Sequence, residues 1–455
     1  MSRGFFVVTT MDTGGKRVNL LLVNEAFDSA APMGAFQLTC TADDKEFLTL
    51  RAQPPSVRKA GRRLYEALAQ NKFIEMLFLA TEQPAPDESY PLFVRLDTPD
   101  AEALPWEALC TPGPSHFRAL DPNVRWPITR VAVPPRRPEP LVRVIGKELR
   151  LAVVLGAAGV SGVNEWTSIS NAIATFPSPV ELLILVSEPA ARTAIQETQA
   201  QWQASGSLHH IEVEYIEDST LVPRLRAHLP NLVHFFCHGF ADVTPLLELE
   251  TLTDRRARRD RGSISIGSAH LDALCRRKSL WAIVLNCCQG ARAAPQLYSM
   301  ARELVIAGTP TVVAMRESVE VIDANVFTQE FYAKLLPQLA QQFRKRSLGT
   351  TPEAFDEMIW VRAVHYARQA LVHMNPDTCA AWTYPVVYVH RDKLTLEARD
   401  LHPLTPDERL RITSELDLLR TLRATLEFNL GSTEVKQQRT GLDDQITALE
   451  QQIAV

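Results

Sequence analysis

Two stretches decide how this chain folds: Asn231-Leu-Val-His-Phe-Phe-Cys-His238-Gly239 and Ile283-Val-Leu-Asn-Cys-Cys288-Gln-Gly290. Each is an apolar run that ends in residues able to do chemistry. Leu232–Cys237 and Trp281–Asn286 are nearly apolar on both faces, as strands are when helices cover both sides of their sheet. The same pattern recurs at Leu149–Leu155, Val180–Val186, Ile211–Ile216, Thr311–Met315 and Pro385–His390. Ala291–Ala307 and Asp323–Leu339 have helical spacing and are long enough for crossover connections between parallel strands. The pattern predicts an α/β fold: a three-layer α/β/α sandwich with a mostly parallel sheet.

Working outward, the stretch before Pro140 mixes strand-like runs (Phe5–Thr9, Val18–Val23, Leu92–Leu96) with a helical segment at Val57–Gln70. Val133-Pro-Pro-Arg-Arg-Pro-Glu-Pro140 reads as an extended linker, since proline removes donors and fixes the backbone. Beyond Thr395 the composition changes again. Thr405-Pro-Asp-Glu408 is a capping box, followed by apolar Ile412, Leu416, Leu419, Leu422 and Leu426 at helical spacing. Gly431 ends that helix, and Leu442, Ile446, Leu449 and Ile453 mark a second one. Three parts are expected: a smaller N-terminal α/β subdomain (1–140), a central domain (141–395) and a C-terminal helical hairpin (396–455). The hairpin's apolar seam either packs on its own chain or takes a regulatory partner protein.

Composition narrows the function. Among 455 residues, 48 basic against 53 acidic side chains give a net charge of −5, so no global basic field attracts nucleic acid or an anionic membrane. No aromatic residues interleave with the basic ones, and a nucleic-acid role is not expected. No run approaches the roughly 18 apolar residues that span a bilayer. The four apolar residues after Arg3 and Gly4 are too few for a signal peptide. Seven cysteines, none in a C-x-x-C pair, point to reduced thiols and a cytoplasmic location.

His238 and Cys288 stand at the carboxyl ends of two expected strands, 288 − 238 = 50 residues apart. Ligands of open α/β sheets meet strand ends of this kind. A thiol with a pKa near 8.5 is only a few per cent thiolate at neutral pH, and the thiolate is the nucleophile. A neighbouring imidazole raises that fraction by accepting the proton, and can return it to a leaving amine. Gly239, without a Cβ, lets its N–H approach a reacting carbonyl. With the N–H of Cys288 it would make an oxyanion hole. Adjacent strand residues point to opposite sides, so only one of Cys287 and Cys288 is expected to meet the histidine. A zinc site from Cys237, His238, Cys287 and Cys288 lacks the C-x₂₋₄-C spacing that lets ligands converge.

These two segments resemble the signature segments of CHAT proteases, a caspase-like branch. Leu104-Pro105-Trp106-Glu107-Ala-Leu109 resembles the family's upstream "PWE" segment, and Ala307-Gly308-Thr-Pro-Thr-Val-Val313 its strand after the nucleophile helix. Val321-Ile-Asp323 with Phe331-Tyr332 resembles the helix opening beyond. In family order the matches cover roughly residues 60 to 395. The resemblance implies a cysteine endopeptidase of the clan of caspases, separase and gingipains, with Cys288 as nucleophile, His238 as general base and no cofactor. It also implies a specific protein substrate in a bacterial defence or cell-death pathway.

Other residues have plainer alternatives. His234, on the same strand face as His238, is read as a support or core residue, and Trp106 as a core aromatic. Asp323 is either the N-cap of its helix or part of the substrate pocket. Relatives that cut after Arg or Lys often carry an acid two places before the nucleophile, and here that place is Asn286. Glu317, Glu320 and Asp323, against Arg316, tilt the expected pocket towards a basic residue before the scissile bond. Five arginines between Arg255 and Arg261 suggest a solvated loop, or one for autocleavage or docking. The rival reading of the whole chain is a catalytically silent caspase-like scaffold that assembles through its hairpin.

Overall fold

The computed structural model describes residues 5–11, 18–23, 35–38, 44–50, 56–70, 72–80, 91–96, 99–112, 117–123, 126–134, 141–241, 244–288, 297–317, 319–347, 355–373, 375–398, 414–421, 423 and 442. The strands in chain order are Phe5–Met11 (β1), Val18–Val23 (β2), Ala35–Leu38 (β3), Leu92–Leu96 (β4), Ile128–Ala132 (β5), Leu141–Ile145 (β6), Leu149–Leu155 (β7) and Val180–Val186 (β8). They continue with His210–Tyr215 (β9), Leu232–Ala241 (β10), Pro245–Leu249 (β11), Ile264–Ile266 (β12), Ala282–Cys288 (β13), Thr311–Met315 (β14), Pro385–His390 (β15) and Leu394–Ala398 (β16). The main sheet runs β3-β2-β1-β4-β5-β15-β14-β13-β10-β7-β8-β9, with the β11–β12 pair attached to β10. The six strands from β9 to β14 are mutually parallel; β15 reverses direction, and β5, β4 and β1 follow it.

The sheet is mostly parallel because its connections are helices, and those helices cover both faces. One apolar cluster holds Trp166, Ile169 and Ile173 of helix Val163–Ile173, and Phe327, Phe331 and Leu335 of helix Val321–Ser347. The other holds Leu221 and Leu225, Leu271 and Leu274, and Met300 and Leu304, from helices Asp218–His228, Ser268–Cys275 and Leu297–Ile306. This is the three-layer α/β/α arrangement expected from strands without a polar face.

The topology also has a switch point. From β7 the chain winds outward through β8 and β9, then returns to the other side of β7 and winds away through β10, β13 and β14. The order therefore reverses between β7 and β10, and ligands of open α/β sheets are generally met beyond the carboxyl ends of the strands at such a reversal.

The residues before the expected linker continue the same sheet. β5 pairs in parallel with β15, so β1, β4 and β5 extend the sheet across the boundary expected at 140. Helix Val57–Ala69 seals this region against the Trp106 segment. Its Gly61 lies so close that a Cβ there would come 1.9 Å from the Ala108 carbonyl oxygen. Alanine normally stabilises a helix interior over glycine by roughly 0.5–1 kcal/mol. Here the sign reverses: Gly61→Ala is expected to lower the urea midpoint by an amount equivalent to about 1–3 kcal/mol, the usual cost of overpacking.

Three sequence expectations change. β10 does not end at Cys237 but runs on to Ala241, because β11 folds back to pair with its last four residues. The arginine-rich stretch is loop only in its second half: Leu252–Arg256 is a short helix capped by Thr251 and Asp254, while Arg256, Arg258, Arg259 and Arg261 are exposed, as a solvated stretch requires. The Asp254 carboxylate accepts hydrogen bonds from Thr251, Ser263 and Arg259, while Arg255 bridges Glu188 and Glu250. Burial pushes the Asp254 carboxyl up, but the Ser263 and Thr251 donors outweigh it and hold it well below the usual carboxylate range. Third, Asp323 is not an N-cap, since its helix begins at Val321. Most of the expected hairpin lies outside the described residues. Within 414–421, Leu416 is buried while Leu418 is exposed. No helix among the described residues is long and apolar enough to cross a membrane.

Candidate active site

β10 and β13 are neighbours in parallel register, and that register pairs His238 with Cys288 and Cys237 with Cys287. The two sequence segments thus end side by side, next to the switch point between β7 and β10. His238 is 5% exposed. Its Nε2 lies 2.7 Å from the carbonyl oxygen of Ala158, in the turn after β7. A carbonyl only accepts, so Nε2 carries the proton and donates it there. In the neutral ring Nδ1 is then the lone-pair nitrogen, the one able to act as a base.

The turn carrying Ala158 is itself tied down. Gly156 N–H donates to the Phe236 carbonyl and Glu250 N–H to the Gly156 carbonyl, which lashes the turn to β10 and to the residue after β11. Ser187 Oγ donates to the Glu250 carboxylate. Ala158 went unnoticed in the sequence because its contribution is a backbone carbonyl, which leaves no side-chain signature.

The cysteines that precede His238 and Cys288 do something different. Cys237 and Cys287 are fully buried among Leu247, Leu285 and Met300, with their sulfurs 3.8 Å apart. Side chains alternate along a strand, so positions 286 and 288 fall on the opposite face, together with 234 and 238. Cys287 is packed in the core with Cys237. Gly239 is in register with Leu247 of β11, inside the strand.

Beneath this end of the sheet lies a buried polar cluster. Glu165 Oε1 receives hydrogen bonds from His234 Nε2 (2.8 Å), Asn286 Nδ2 (2.8 Å) and Thr328 Oγ1 (2.6 Å). With Nε2 donating, His234 Nδ1 accepts from the Tyr332 hydroxyl at 3.1 Å. Burial and the neighbouring Glu165 charge hold that hydroxyl well above the usual phenol range. His234, Asn286, Glu165 and Thr328 are all 0% exposed. Helices Val163–Ile173 and Val321–Ser347 are thereby bolted to the undersides of β10 and β13. His234 is a support residue of this kind.

Asn286, expected at the substrate pocket, is instead enclosed: its amide donates to Glu165, Thr328 and the Ala324 carbonyl. Glu165, Thr328 and Tyr332 escaped notice as site residues. Only a polar residue on an otherwise apolar helix face would have flagged them. The other residues expected at the pocket follow β14. Glu317 takes a hydrogen bond from Arg316, Glu320 is exposed, and Asp323 lies 2.6 Å from His373 Nε2. Among the described residues no group of three or more His, Cys, Asp or Glu side chains is arranged to hold a metal.

The Trp106 segment lies on the other half of the sheet. Trp106 is a core aromatic, 1% exposed, whose indole N–H donates to the Ala101 carbonyl. Glu107 is 0% exposed and forms a two-point ion pair with Arg130 of β5, with Arg368 3.9 Å away. Burial pushes the Glu107 carboxyl up, but the Arg130 charge, its hydrogen bonds and the Arg368 charge together outweigh it and hold the group below the usual carboxylate range.

A chain in two crystal structures of the Saccharomyces cerevisiae separase–securin complex is similar at 14% identity, with TM-scores of 0.32 and 0.33. Each alignment covers 73% of this chain but only 18% and 17% of the other, so this chain spans less than a fifth of the length of those it matches. No curated protein matches. The family model described as the CHAT domain matches residues 58–355, a span that includes the Trp106 segment, His238 and Cys288, and the chain belongs to that family.

Proposed function

We propose that this chain is a cysteine endopeptidase with Cys288 as nucleophile and His238 as general base. The observation that supports it best is the register of β10 and β13, which pairs the two residues while Ala158 fixes the imidazole tautomer. In this reading the Cys288 thiol gives its proton to His238 Nδ1, and the sulfur attacks the scissile carbonyl carbon. The backbone N–H groups of Gly239 and Cys288 stabilise the resulting oxyanion. The C–N bond then breaks, and the imidazolium returns the proton to the leaving amine. Water, deprotonated by the same ring, hydrolyses the thioester. Membership of the CHAT family supports a protein substrate and a role in a bacterial defence or cell-death pathway. The hairpin after residue 395 is proposed to receive a regulatory partner.

The test compares the two adjacent thiols. Iodoacetamide is expected to label Cys288 ahead of Cys287 in the native chain. Cys288→Ala is expected to abolish cleavage of a peptide library, in the presence of any partner, while Cys287→Ala retains it. Preferential labelling of Cys287, or turnover that survives Cys288→Ala, overturns the assignment.

A further inference from the structure

Cys237 and Cys287 are direct partners in the parallel ladder between β10 and β13, both fully buried, with sulfurs 3.8 Å apart. Facing residues on adjacent strands have Cα atoms about 5 Å apart, within the 4.4–6.8 Å range that disulfides span. A disulfide S–S bond is about 2.0 Å long, so the sulfurs would have to approach by a little under 2 Å. Among the described residues no other cysteine has such a neighbour. Cys110 bonds to Arg58 and the Thr111 carbonyl, Cys379 to the Leu371 carbonyl, and burial pushes the Cys275 thiol up to about 11.

The position of the pair matters as much as its spacing. Each cysteine is one residue before a member of the proposed catalytic pair, at the ends of the two strands whose register brings that pair together. Drawing the two sulfurs together on one face tilts the peptide units that lead to residues 238 and 288 on the other. The hydrogen bond between His238 and Ala158 spans only 2.7 Å, so it tolerates little of that motion.

We propose that Cys237 and Cys287 are a redox switch: a hydroperoxide oxidises them to a disulfide that disables the site, and a thiol reductant restores it. In the first step one thiol gives up its proton and its sulfur attacks a peroxide oxygen; with hydrogen peroxide the O–O bond breaks, and the departing hydroxide takes up the released proton, leaving a sulfenic acid and one water. The second sulfur then attacks the sulfenic sulfur, the S–O bond breaks, a second water leaves and the S–S bond forms. Two thiols are oxidised and one peroxide is reduced. The effect on turnover rests on the endopeptidase reading, but disulfide formation does not.

The test therefore reads the bond first. In the full chain carrying Cys288→Ser, treatment with hydrogen peroxide and blocking with N-ethylmaleimide in denaturant precede trypsin digestion. Trypsin releases Cys237 in the peptide Ala227–Arg255 and Cys287 in Ser279–Arg292, each then holding a single cysteine. The expected product is these two peptides joined, about 2 Da lighter than their sum, and absent when Cys237→Ala or Cys287→Ser is added. Maleimide on both cysteines overturns the proposal, as does linkage of either peptide to another cysteine. In the wild-type chain, peroxide is expected to slow turnover and Cys288 alkylation at least tenfold, with recovery in dithiothreitol. The recoverable fraction should vanish in Cys237→Ala. If the bond forms but alkylation of Cys288 does not slow, the switch is overturned. A chain that forms the bond yet cleaves no peptide counts against the endopeptidase reading alone.

Discussion

His238→Ala is expected to lower kcat/KM for peptide cleavage by about 10²–10⁴, the usual range for losing a general base. Two consequences separate this loss from simple misfolding. First, the alkylation rate of Cys288 should fall with it and rise about tenfold per pH unit through neutrality, because a thiol with no imidazole beside it ionises only towards its ordinary pKa near 8.5. Second, the urea midpoint should fall by the equivalent of only about 1–3 kcal/mol, the cost of leaving the Ala158 carbonyl without its donor, and the chain should stay folded, since none of the buried Glu165 cluster depends on His238. Unchanged turnover in His238→Ala would remove the histidine from the mechanism. A matching change at Ala158 is not open to ordinary mutagenesis, because its carbonyl belongs to the backbone; the histidine variant is the direct probe of the pair.

Glu107→Ala is expected to be the most damaging single change to stability, costing about 3–5 kcal/mol, as when one partner of a buried ion pair is removed. Arg130 and Arg368 are both 0% exposed, and without Glu107 two guanidinium charges would remain inside the protein with no carboxylate between them. Arg130 still donates to the carbonyls of Glu102 and Leu104, and Arg368 to that of Pro385. These bonds lessen the loss without balancing the charge. Burial already lowers the Arg368 pKa to about 10, so the site has little capacity for a second unpaired cation. Urea unfolding followed by tryptophan fluorescence measures the loss. Glu107→Leu combined with Arg130→Met removes a charge of each sign and should recover part of the stability. A single variant within 1 kcal/mol of wild type would show that the cluster is not what holds this half of the sheet.

These two sites were not equally visible in the sequence. His238 and Cys288 stood out because each ends an apolar run, and a strand end in an open α/β sheet is where function collects. Glu107 looked like one acid in a short family segment, because its partners are 23 and 261 residues further along the chain. Glu165 was concealed in the same way. It lies near the start of an ordinary helix, while the groups that hold it come from β10, β13 and a helix more than 160 residues away.

The order of apolar runs, by itself, determined the layered α/β architecture, since a strand without a polar face must be covered on both sides. It also placed the histidine and the nucleophile candidate at strand ends, one crossover apart. Only the tertiary structure decided that β10 and β13 are adjacent and in step, that Cys287 packs against Cys237, and that a turn after β7 sets the histidine tautomer. It also enclosed Asn286, the residue that the family resemblance had placed at the pocket. Periodicity is a local property that solvent exposure imposes on neighbouring residues. Hydrogen-bond partnership depends on distance in space, which becomes defined only when the strands have found their register.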